Sequence, residues 1–223
     1  MRKVLLFIST LLIISGCLNN SNNKLGKTNS HEKGETLNEI LEKKKGFKKL
    51  QIGKNIQDFS NYIISSNPNF ERNKSKQLAW YKIDHIKLNY MKFGNAKINS
   101  ISLTCIDNII SLIEIRCDYD ENLPNDLILF YGLYNDYKSE DKNEHITHTH
   151  TWISENYILT CTRSYMSFEW VSRRFKENPN FKPYKGLSVE IKKKNFDEEK
   201  MKILKNEKKT LEEKRKAEAL KNF

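Results

Sequence analysis

The segment HITHTHTW, residues 145–152, carries the side chains of this sequence that are best suited to binding a metal ion. Alternate side chains of an extended strand share a face, so His148 and His150 would lie side by side with Trp152. Two imidazoles can hold zinc or copper, but a tight site needs a third or fourth ligand, and no Asp or Glu has the necessary spacing nearby. Alternating Thr and His is also typical of an exposed strand. We therefore keep a metal site at His148 and His150 as an alternative, and we expect no cofactor.

Cys105, Cys117 and Cys161 each end an apolar, strand-like run, which predicts that all three are buried. Two interpretations stay open: small core side chains, or one disulfide. If residues 105 and 110 pair across a turn, residue 117 lies opposite about residue 98, which excludes a Cys105–Cys117 bridge. Cys117 and Cys161 are then the favoured pair, since they could meet on adjacent strands. A nucleophilic cysteine is not indicated, because no histidine has a recognisable relation to any of them.

The sequence favours a protein without catalytic activity. Asp118, Asp120 and Glu121 form an acidic run typical of a solvated turn, whereas a glycosidase needs two carboxyl groups held in a cleft at a set separation. The motifs G-x-S-x-G, H-E-x-x-H, G-x-G-x-x-G and the P-loop are absent from the sequence. We expect most of the numerous aromatic residues in the core or in half-exposed positions on the sheet, and an exposed subset would form a binding surface.

The chain has a net charge of +11, but the types of residue that supply this charge argue against a nucleic-acid partner. Lysine far outnumbers arginine, whereas recognition of phosphates and bases favours arginine, and no arginine cluster with interleaved aromatics occurs. The charge is better explained by solvated, lysine-rich faces. Two of the positive charges belong to Arg2 and Lys3, and removing them from +11 leaves +9.

The N-terminal segment has the organisation of a secretory signal. Arg2 and Lys3 precede an apolar run over residues 4–15, which is too short for a transmembrane helix of about 20 residues. The run ends in Ile14-Ser15-Gly16-Cys17, which resembles the lipobox of bacterial lipoproteins. The resemblance implies cleavage before Cys17, a diacylglyceryl group on its thiol, and acylation (palmitate) of the new amine. Two or three acyl chains together make a stable membrane anchor.

Residues 18–34 are polar and rich in asparagine, and they are predicted to form a flexible tether after the lipidated Cys17. Leu18, rather than Asp, follows the lipidated cysteine. In Gram-negative lipoproteins this resembles the signal for sorting to the outer membrane. We therefore expect an exported, lipid-anchored protein at the cell membrane or outer membrane.

The first part of the folded domain is predicted to be helical. Thr36 and Glu39 have the spacing of a capping box, and apolar residues follow at helical intervals to about residue 45. The next expected elements are a brief strand over residues 47–52 and a second helix that begins at Asn55 and ends at Asn67-Pro68.

The rest of the domain is predicted to consist of antiparallel strands joined by short turns. Strands are expected over residues 86–90, 98–105, 109–117, 149–153, 157–163 and 168–172. A helix opens at Pro124 and ends at Gly132, with Leu123, Leu127, Phe130 and Tyr131 facing inward. Residues 135–146 are predicted to form a polar loop, and a charged helix is predicted after Asp197.

These patterns predict an α+β domain, in which an antiparallel sheet of meander and hairpins has helices packed on one face, plus a charged C-terminal helix. The expected organisation is a signal peptide (1–16), a lipidated tether (17–34), one domain (35–195) and a charged tail (196–223). The leading functional hypothesis is a lipid-anchored, non-enzymatic binding module of the cell envelope with a protein partner, for example an immunity lipoprotein. The alternatives are an envelope hydrolase with an unfamiliar site and a weak metal-binding protein that uses His148 and His150.

Overall fold

An antiparallel sheet forms the centre of this computed structural model, which describes residues 37–64, 77–142 and 144–221. The elements in chain order are α1 (Leu37–Lys44), β1 (Gly46–Phe47), β2 (Leu50–Gln51), a 3-10 helix (Ile56–Tyr62), β3 (Leu78–Ile83), β4 (Lys92–Phe93), β5 (Ala96–Ile106), β6 (Ile109–Cys117), α2 (Leu123–Tyr131), β7 (Asp136–Lys142), β8 (His145–Ile153), β9 (Tyr157–Met166), α3 (Phe168–Glu177), β10 (Lys185–Lys193) and α4 (Phe196–Lys221). The large sheet has the order β3-β5-β6-β10-β9-β8-β7, β4 pairs with β5, and β1 and β2 form a separate hairpin. The predicted α+β class with an antiparallel sheet is confirmed.

The β5–β6 hairpin follows directly from its sequence. Asp107 and Asn108 have φ values of 50° and 65°, a left-handed conformation that Asp and Asn tolerate better than most residues and that suits a two-residue hairpin turn. The predicted register is also confirmed, because Cys105 pairs with Ile110 and Ile98 pairs with Cys117.

One face of the sheet, here called the covered face, forms the hydrophobic core. Its central side chains are fully buried: Ile101, Leu103, Ile113, Ile115, Leu159, Cys161, Val189 and Ile191. Side chains from α1, the 3-10 helix and α2 pack into the same core, among them Leu41, Phe59 and Leu127. Full burial of an Ile or Leu side chain contributes about 1.5–3 kcal/mol, so this layer of helices and sheet holds most of the stabilising energy.

The opposite face, here called the polar face, carries hydroxyl and charged side chains. Cross-strand hydroxyl pairs link β8 to β9, with Thr149 Oγ1 3.3 Å from Thr162 Oγ1 and Thr147 Oγ1 3.2 Å from Ser164 Oγ. The first turns of α4 pack against the domain through Phe196 and Ile203, which are 1% and 9% exposed. The predicted C-terminal helix is therefore present and anchored at its N-terminal end.

Residues 86–90, predicted as a strand, form a compact turn instead. Asn89 donates a backbone hydrogen bond to Ile86 (2.8 Å) and Tyr90 donates one to His85 (2.8 Å). The Asp84 carboxylate accepts from the Lys87 backbone N–H at 3.1 Å, which stabilises the turn against an extended conformation. Local side-chain bonding thus outweighed the alternating pattern, and Ile86 is left 65% exposed.

Three other local predictions are wrong. The polar loop at 135–146 is strand β7 and the start of β8, because a charged sequence is well suited to the edge of a sheet. The strand at 168–172 is helix α3, whose first turn is closed by a bond from Val171 N–H to the Ser167 carbonyl (3.0 Å). The strand at 47–52 is interrupted by the β1–β2 turn, where Lys48 has a φ of 55°.

The helix predicted from Asn55 exists as the short 3-10 helix, and the Asn55 side chain accepts from the Gln57 N–H at 2.9 Å. It ends at Tyr62. The predicted stop at Asn67-Pro68, the cap at Thr36, and the whole segment of residues 1–34 with Cys17 lie outside the described residues.

Candidate interaction surface

Helix α2 is fixed to the sheet by one side and presents the other to solvent. Pro124 lies in its first turn, and Gly132, with a φ of 79°, ends it by donating to the Ile128 carbonyl at 2.7 Å. Leu123 and Leu127 are buried against the core. The Trp152 indole N–H donates to the Gly132 carbonyl at 2.8 Å, which ties the end of α2 to strand β8.

An apolar patch runs from the outer side of α2 into the start of β7. Leu129 is 88% exposed, Phe130 53%, Leu133 63% and Tyr137 45%. The prediction that Phe130 faces inward is wrong, whereas Leu123, Leu127 and Tyr131 are buried as predicted. Leu129, Phe130 and Leu133 follow one another closely along the chain, and an exposed apolar patch marks an interaction site more often than isolated apolar residues do.

Beside this patch lies a groove of about 750 Å³, here called the α2 groove, between α2, the end of α1 and the β1–β2 and β4–β5 hairpins. Phe47 and Phe93 line it, with ring centroids 4.9 Å apart, and Leu127 and Phe130 line the opposite side. The groove is therefore an apolar concavity whose rim includes an exposed aromatic ring.

The rim of the α2 groove is basic. Lys43, Lys44 and Lys48 line it, against one acidic residue, Asp126. The Lys44 ammonium lies 3.0 Å from the centroid of the Phe130 ring, a cation–π contact. The groove thus offers apolar contact area framed by positive charge.

Helix α1, which carries two of these lysines, is held in place by its other side. The Glu42 carboxylate accepts from the Asn156 backbone N–H at 2.6 Å and from the Asn156 side-chain amide at 3.2 Å. Burial works to raise the pKa of Glu42, but these hydrogen bonds outweigh it and the pKa lies below its usual value. The turn between β8 and β9 therefore positions the basic rim of the groove.

His148 and His150 lie on the covered face at the β7 end of the sheet, as the alternation predicts. Both ring nitrogens of His148 make hydrogen bonds with phenols: Nδ1 lies 2.7 Å from the Tyr137 hydroxyl and Nε2 lies 3.0 Å from the Tyr165 hydroxyl. His150 packs against Tyr134 and Trp152, with ring centroids 4.8 Å and 6.3 Å away. The two histidines are thus parts of an aromatic cluster.

This cluster favours neutral histidines. Burial, and then the positive charge of Arg163, lower the pKa of His148. The same two causes, followed by the neighbouring His148, lower the pKa of His150. Two buried atoms of the cluster, His150 Nδ1 and Arg163 Nε, have no hydrogen-bond partner among the described residues.

The described part of the chain brings no group of three or more His, Cys, Asp or Glu side chains into an arrangement that could hold a metal ion. Because both nitrogens of His148 are already bonded to tyrosines, a metal could reach that ring only by displacing one of them. The geometry therefore does not strengthen the metal alternative.

Cys105, Cys117 and Cys161 are buried, as predicted, and all three are free thiols. The expectation that Cys117 and Cys161 lie on adjacent strands is wrong, because β10 lies between β6 and β9. Residues two strands apart are separated by about 9–10 Å, whereas a disulfide requires Cα atoms about 4.4–6.8 Å apart. The candidate Cys117–Cys161 bridge is therefore absent from this structure.

The acidic run at Asp118, Asp120 and Glu121 forms part of the connection between β6 and α2. Asp118 accepts from the Asn99 side chain at 2.8 Å, and Asp120 accepts from the Asn122 backbone N–H at 2.8 Å. These carboxylates therefore stabilise the connection, which agrees with their interpretation as a turn.

A second concavity of about 500 Å³, here called the polar cavity, lies on the polar face beside the start of α4. Glu114 on β6 and Glu190 on β10 are direct cross-strand partners within it. Arg116 Nε donates to Glu114 at 2.8 Å. Burial, and then the negative charge of Glu114, raise the pKa of Glu190.

The sequence predicted Leu123, Leu127, Phe130 and Tyr131 of the α2 groove as core residues, and it did not predict either concavity. Glu114 and Arg116 alternate with buried isoleucines along β6, which was a detectable signal for a polar face. The position of Glu190 in the polar cavity could be predicted only once strand β10 was known. The exposure of Phe130 could be predicted only once it was known which side of α2 packs on the sheet.

Among the described residues, no helix combines the length and the apolar character that a membrane span requires.

Comparisons with known protein families, with curated proteins and with solved structures found no match to this chain.

Proposed function

We propose that this chain is a lipid-anchored protein of the bacterial cell envelope whose folded domain binds a protein partner through the α2 groove and acts without catalysis. The anchor rests on the lipobox at Ile14-Ser15-Gly16-Cys17. The observation that carries the binding function is the exposed Phe130 at the rim of an apolar groove of about 750 Å³.

The groove defines the chemistry of its partner. Aromatic side chains are enriched at the centres of protein interfaces, where the residues that dominate binding energy fill pockets. Three lysines against one aspartate on the groove lining complement a negatively charged surface. The partner would therefore insert an apolar side chain into the groove and place acidic side chains beside Lys43, Lys44 and Lys48. An immunity protein that neutralises an acidic toxin at the membrane is one version of this function.

In-cell crosslinking tests this proposal. A photoreactive phenylalanine analogue is placed at Leu129, beside the groove, and in a matched variant at Phe168 of α3, which is 83% exposed. We expect one discrete protein adduct from position 129, and none of the same mass from position 168. The double variant Lys43→Glu/Lys48→Glu should abolish the adduct. Adducts that are equal from both positions, or that persist after charge reversal, would contradict the proposal.

One observation favours the hydrolase as a second candidate. Glu190, whose pKa is raised, faces Glu114 across neighbouring strands in an open cavity, and a carboxyl group with a raised pKa can act as a general acid. In this case Glu190 would donate the proton.

The hydrolase candidate has a direct assay. The purified full chain is incubated with p-nitrophenyl glycosides and esters, and nitrophenol release is compared between wild type and Glu190→Gln. A rate above background that the substitution removes would support hydrolysis. If nitrophenol release stayed at the background rate with both proteins, hydrolysis of these glycosides and esters would be ruled out.

A further inference from the structure

The polar cavity has the composition of a binding site for a neutral, hydroxyl-rich molecule. Its volume of about 500 Å³ lies within the range of about 300–1,000 Å³ that is usual for small-molecule sites. It opens on the polar face of the sheet, on the side away from the α2 groove, so an occupant here would not compete with one in the groove.

Four of the charged side chains that line the cavity form two ion pairs with one another, while Lys82, Glu190 and Lys200 also line it. Glu114 accepts from Arg116 at 2.8 Å and from the Ser102 hydroxyl at 3.3 Å. Lys192 forms an ion pair with Asp197 at the start of α4. An ionic ligand would compete with these two pairs, in which Arg116 and Asp197 are 68% and 66% exposed. A neutral ligand can bind without breaking the pairs.

The same groups can still hydrogen-bond to a ligand in both directions. A carboxylate accepts through several lone pairs, and a guanidinium or ammonium has several donors, so each retains capacity after pairing. The hydroxyls of Ser100 and Ser102 lie on the same face and can act as donor or acceptor. A ligand that has many hydroxyl groups requires this mixture, because each of its hydroxyls also both donates and accepts.

Trp80 supplies an aromatic wall on one side of the cavity. It lies on β3, directly across from Thr104 on β5. Sugars combine a ring of hydroxyl groups with a less polar C–H face, and that face packs well on an indole. An indole beside paired ions therefore suits a sugar better than it suits an inorganic ion or an amino acid.

We propose that the polar cavity binds a short, neutral carbohydrate, which packs on Trp80 and hydrogen-bonds to the Glu114–Arg116 pair and to Glu190. This function is independent of the α2 groove. It is also independent of catalysis, because the cavity would bind the saccharide even if the protein did not hydrolyse the sugar.

The test uses the full chain, purified in a detergent without a sugar headgroup, such as lauryldimethylamine oxide. Maltotriose, cellotriose and triacetylchitotriose are titrated separately, and binding is followed by saturation-transfer NMR of the sugar. Binding of at least one of them with a Kd below about 1 mM is expected. Trp80→Ala and Glu190→Gln should each weaken it by at least about tenfold. Glu140→Gln, on the same face but outside the cavity, is the matched control and should leave Kd unchanged.

Two results would overturn the proposal. One is the absence of saturable binding for all three sugars to folded wild-type protein. The other is binding that Glu190→Gln leaves intact or that Glu140→Gln weakens equally. Circular dichroism of each variant establishes that it is folded, and Glu190→Gln keeps the test decisive if Trp80→Ala does not fold.

Discussion

At the level of single residues, His148 illustrates how a side chain that resembles a metal ligand can serve a structural purpose. Its two ring nitrogens meet the hydroxyls of Tyr137 and Tyr165, so three strands, β7, β8 and β9, are linked through one imidazole. In a neutral histidine one nitrogen donates and the other accepts, which matches two hydroxyl partners. Protonation would make both nitrogens donors, so the tyrosine hydroxyl that donates to the ring would have to reorient and accept instead.

This arrangement predicts that stability falls at mildly acidic pH. The pKa values of His148 and His150 are lowered in the fold from the usual value of 6.5, so the unfolded chain takes up these protons first as the pH falls. The free energy of unfolding should therefore decrease below about pH 6.5 and level off below the folded pKa values.

Urea titrations at several pH values between about pH 7.5 and pH 5.5 measure this effect. His150→Phe should reduce the dependence on pH, because His150 is 8% exposed and its ring is replaced by an apolar one. His145→Phe, which makes the same substitution at an exposed residue of the same strand, is the matched control. Identical slopes for all three proteins would contradict the assignment.

The three core cysteines give a second prediction at this scale. Burial raises the pKa values of Cys105, Cys117 and Cys161 each to about 12, so their thiols should be unreactive in the folded protein. Protein isolated from the envelope without reductant should show no rapid reaction with Ellman's reagent. All three thiols should react after denaturation. A single reactive thiol in the denatured protein would instead indicate a disulfide.

At the level of elements, the anchoring of α4 depends on its first turns. Phe196 is 1% exposed, whereas Leu211, further along the same helix, is 51% exposed. We expect Phe196→Ala to lower the free energy of unfolding by about 3–5 kcal/mol, the usual cost of removing a buried aromatic side chain. Leu211→Ala is the control, and it should change stability by less than about 0.5 kcal/mol.

Chemical denaturation of the two variants measures the difference. Equal losses of stability would mean that the whole length of α4 packs on the domain. If neither variant lost stability, α4 would not be anchored through Phe196 at all.

The elements also show which parts of the fold are encoded locally. The β5–β6 hairpin was predictable down to its register, because alternating isoleucines and the Asp107-Asn108 turn are signals within a single stretch of chain. Residues 86–90 have similar alternation, but the Asp84 carboxylate closes them into a turn. Local hydrogen bonding of this kind competes with periodicity and is hard to weigh from sequence.

Long-range pairing explains most of the remaining differences. Strand β10 received no prediction, although Leu187, Val189 and Ile191 alternate, and its place between β6 and β9 is set by partners distant in the chain. The candidate disulfide was wrong for the same reason. The α2 groove depends on four separate elements, so the sequence could predict α2 but not that Phe130 stays outside.

At the level of the whole molecule, the anchor is the first claim to test. Wild-type protein should incorporate labelled palmitate, and its mass should correspond to a lipidated chain that begins at Cys17. Cys17→Ser should incorporate no label and keep the leader, because the thiol receives the first lipid. A Cys17→Ser protein with the same label and mass as wild type would contradict the anchor.

The α2 groove and the polar cavity are two chemically different sites on one molecule. The α2 groove is apolar with a basic rim, and the polar cavity on the other side of the sheet contains paired charges. The domain therefore presents two chemically different surfaces. Variants in one should leave binding at the other unchanged, since they share no lining residue.

The central claim is that Phe130 and the α2 groove bind a protein partner, and the most direct measurement is an affinity comparison with the protein captured from position 129. The Kd of the purified partner is measured for wild type, Phe130→Ala and the matched control Phe168→Ala, at low and high salt. We predict that Phe130→Ala raises Kd by at least about tenfold, or about 1.4 kcal/mol. Phe168→Ala should not change it, and salt should weaken wild-type binding because the rim is charged. If Phe130→Ala bound the partner with the same Kd as the wild type, this result would contradict the account.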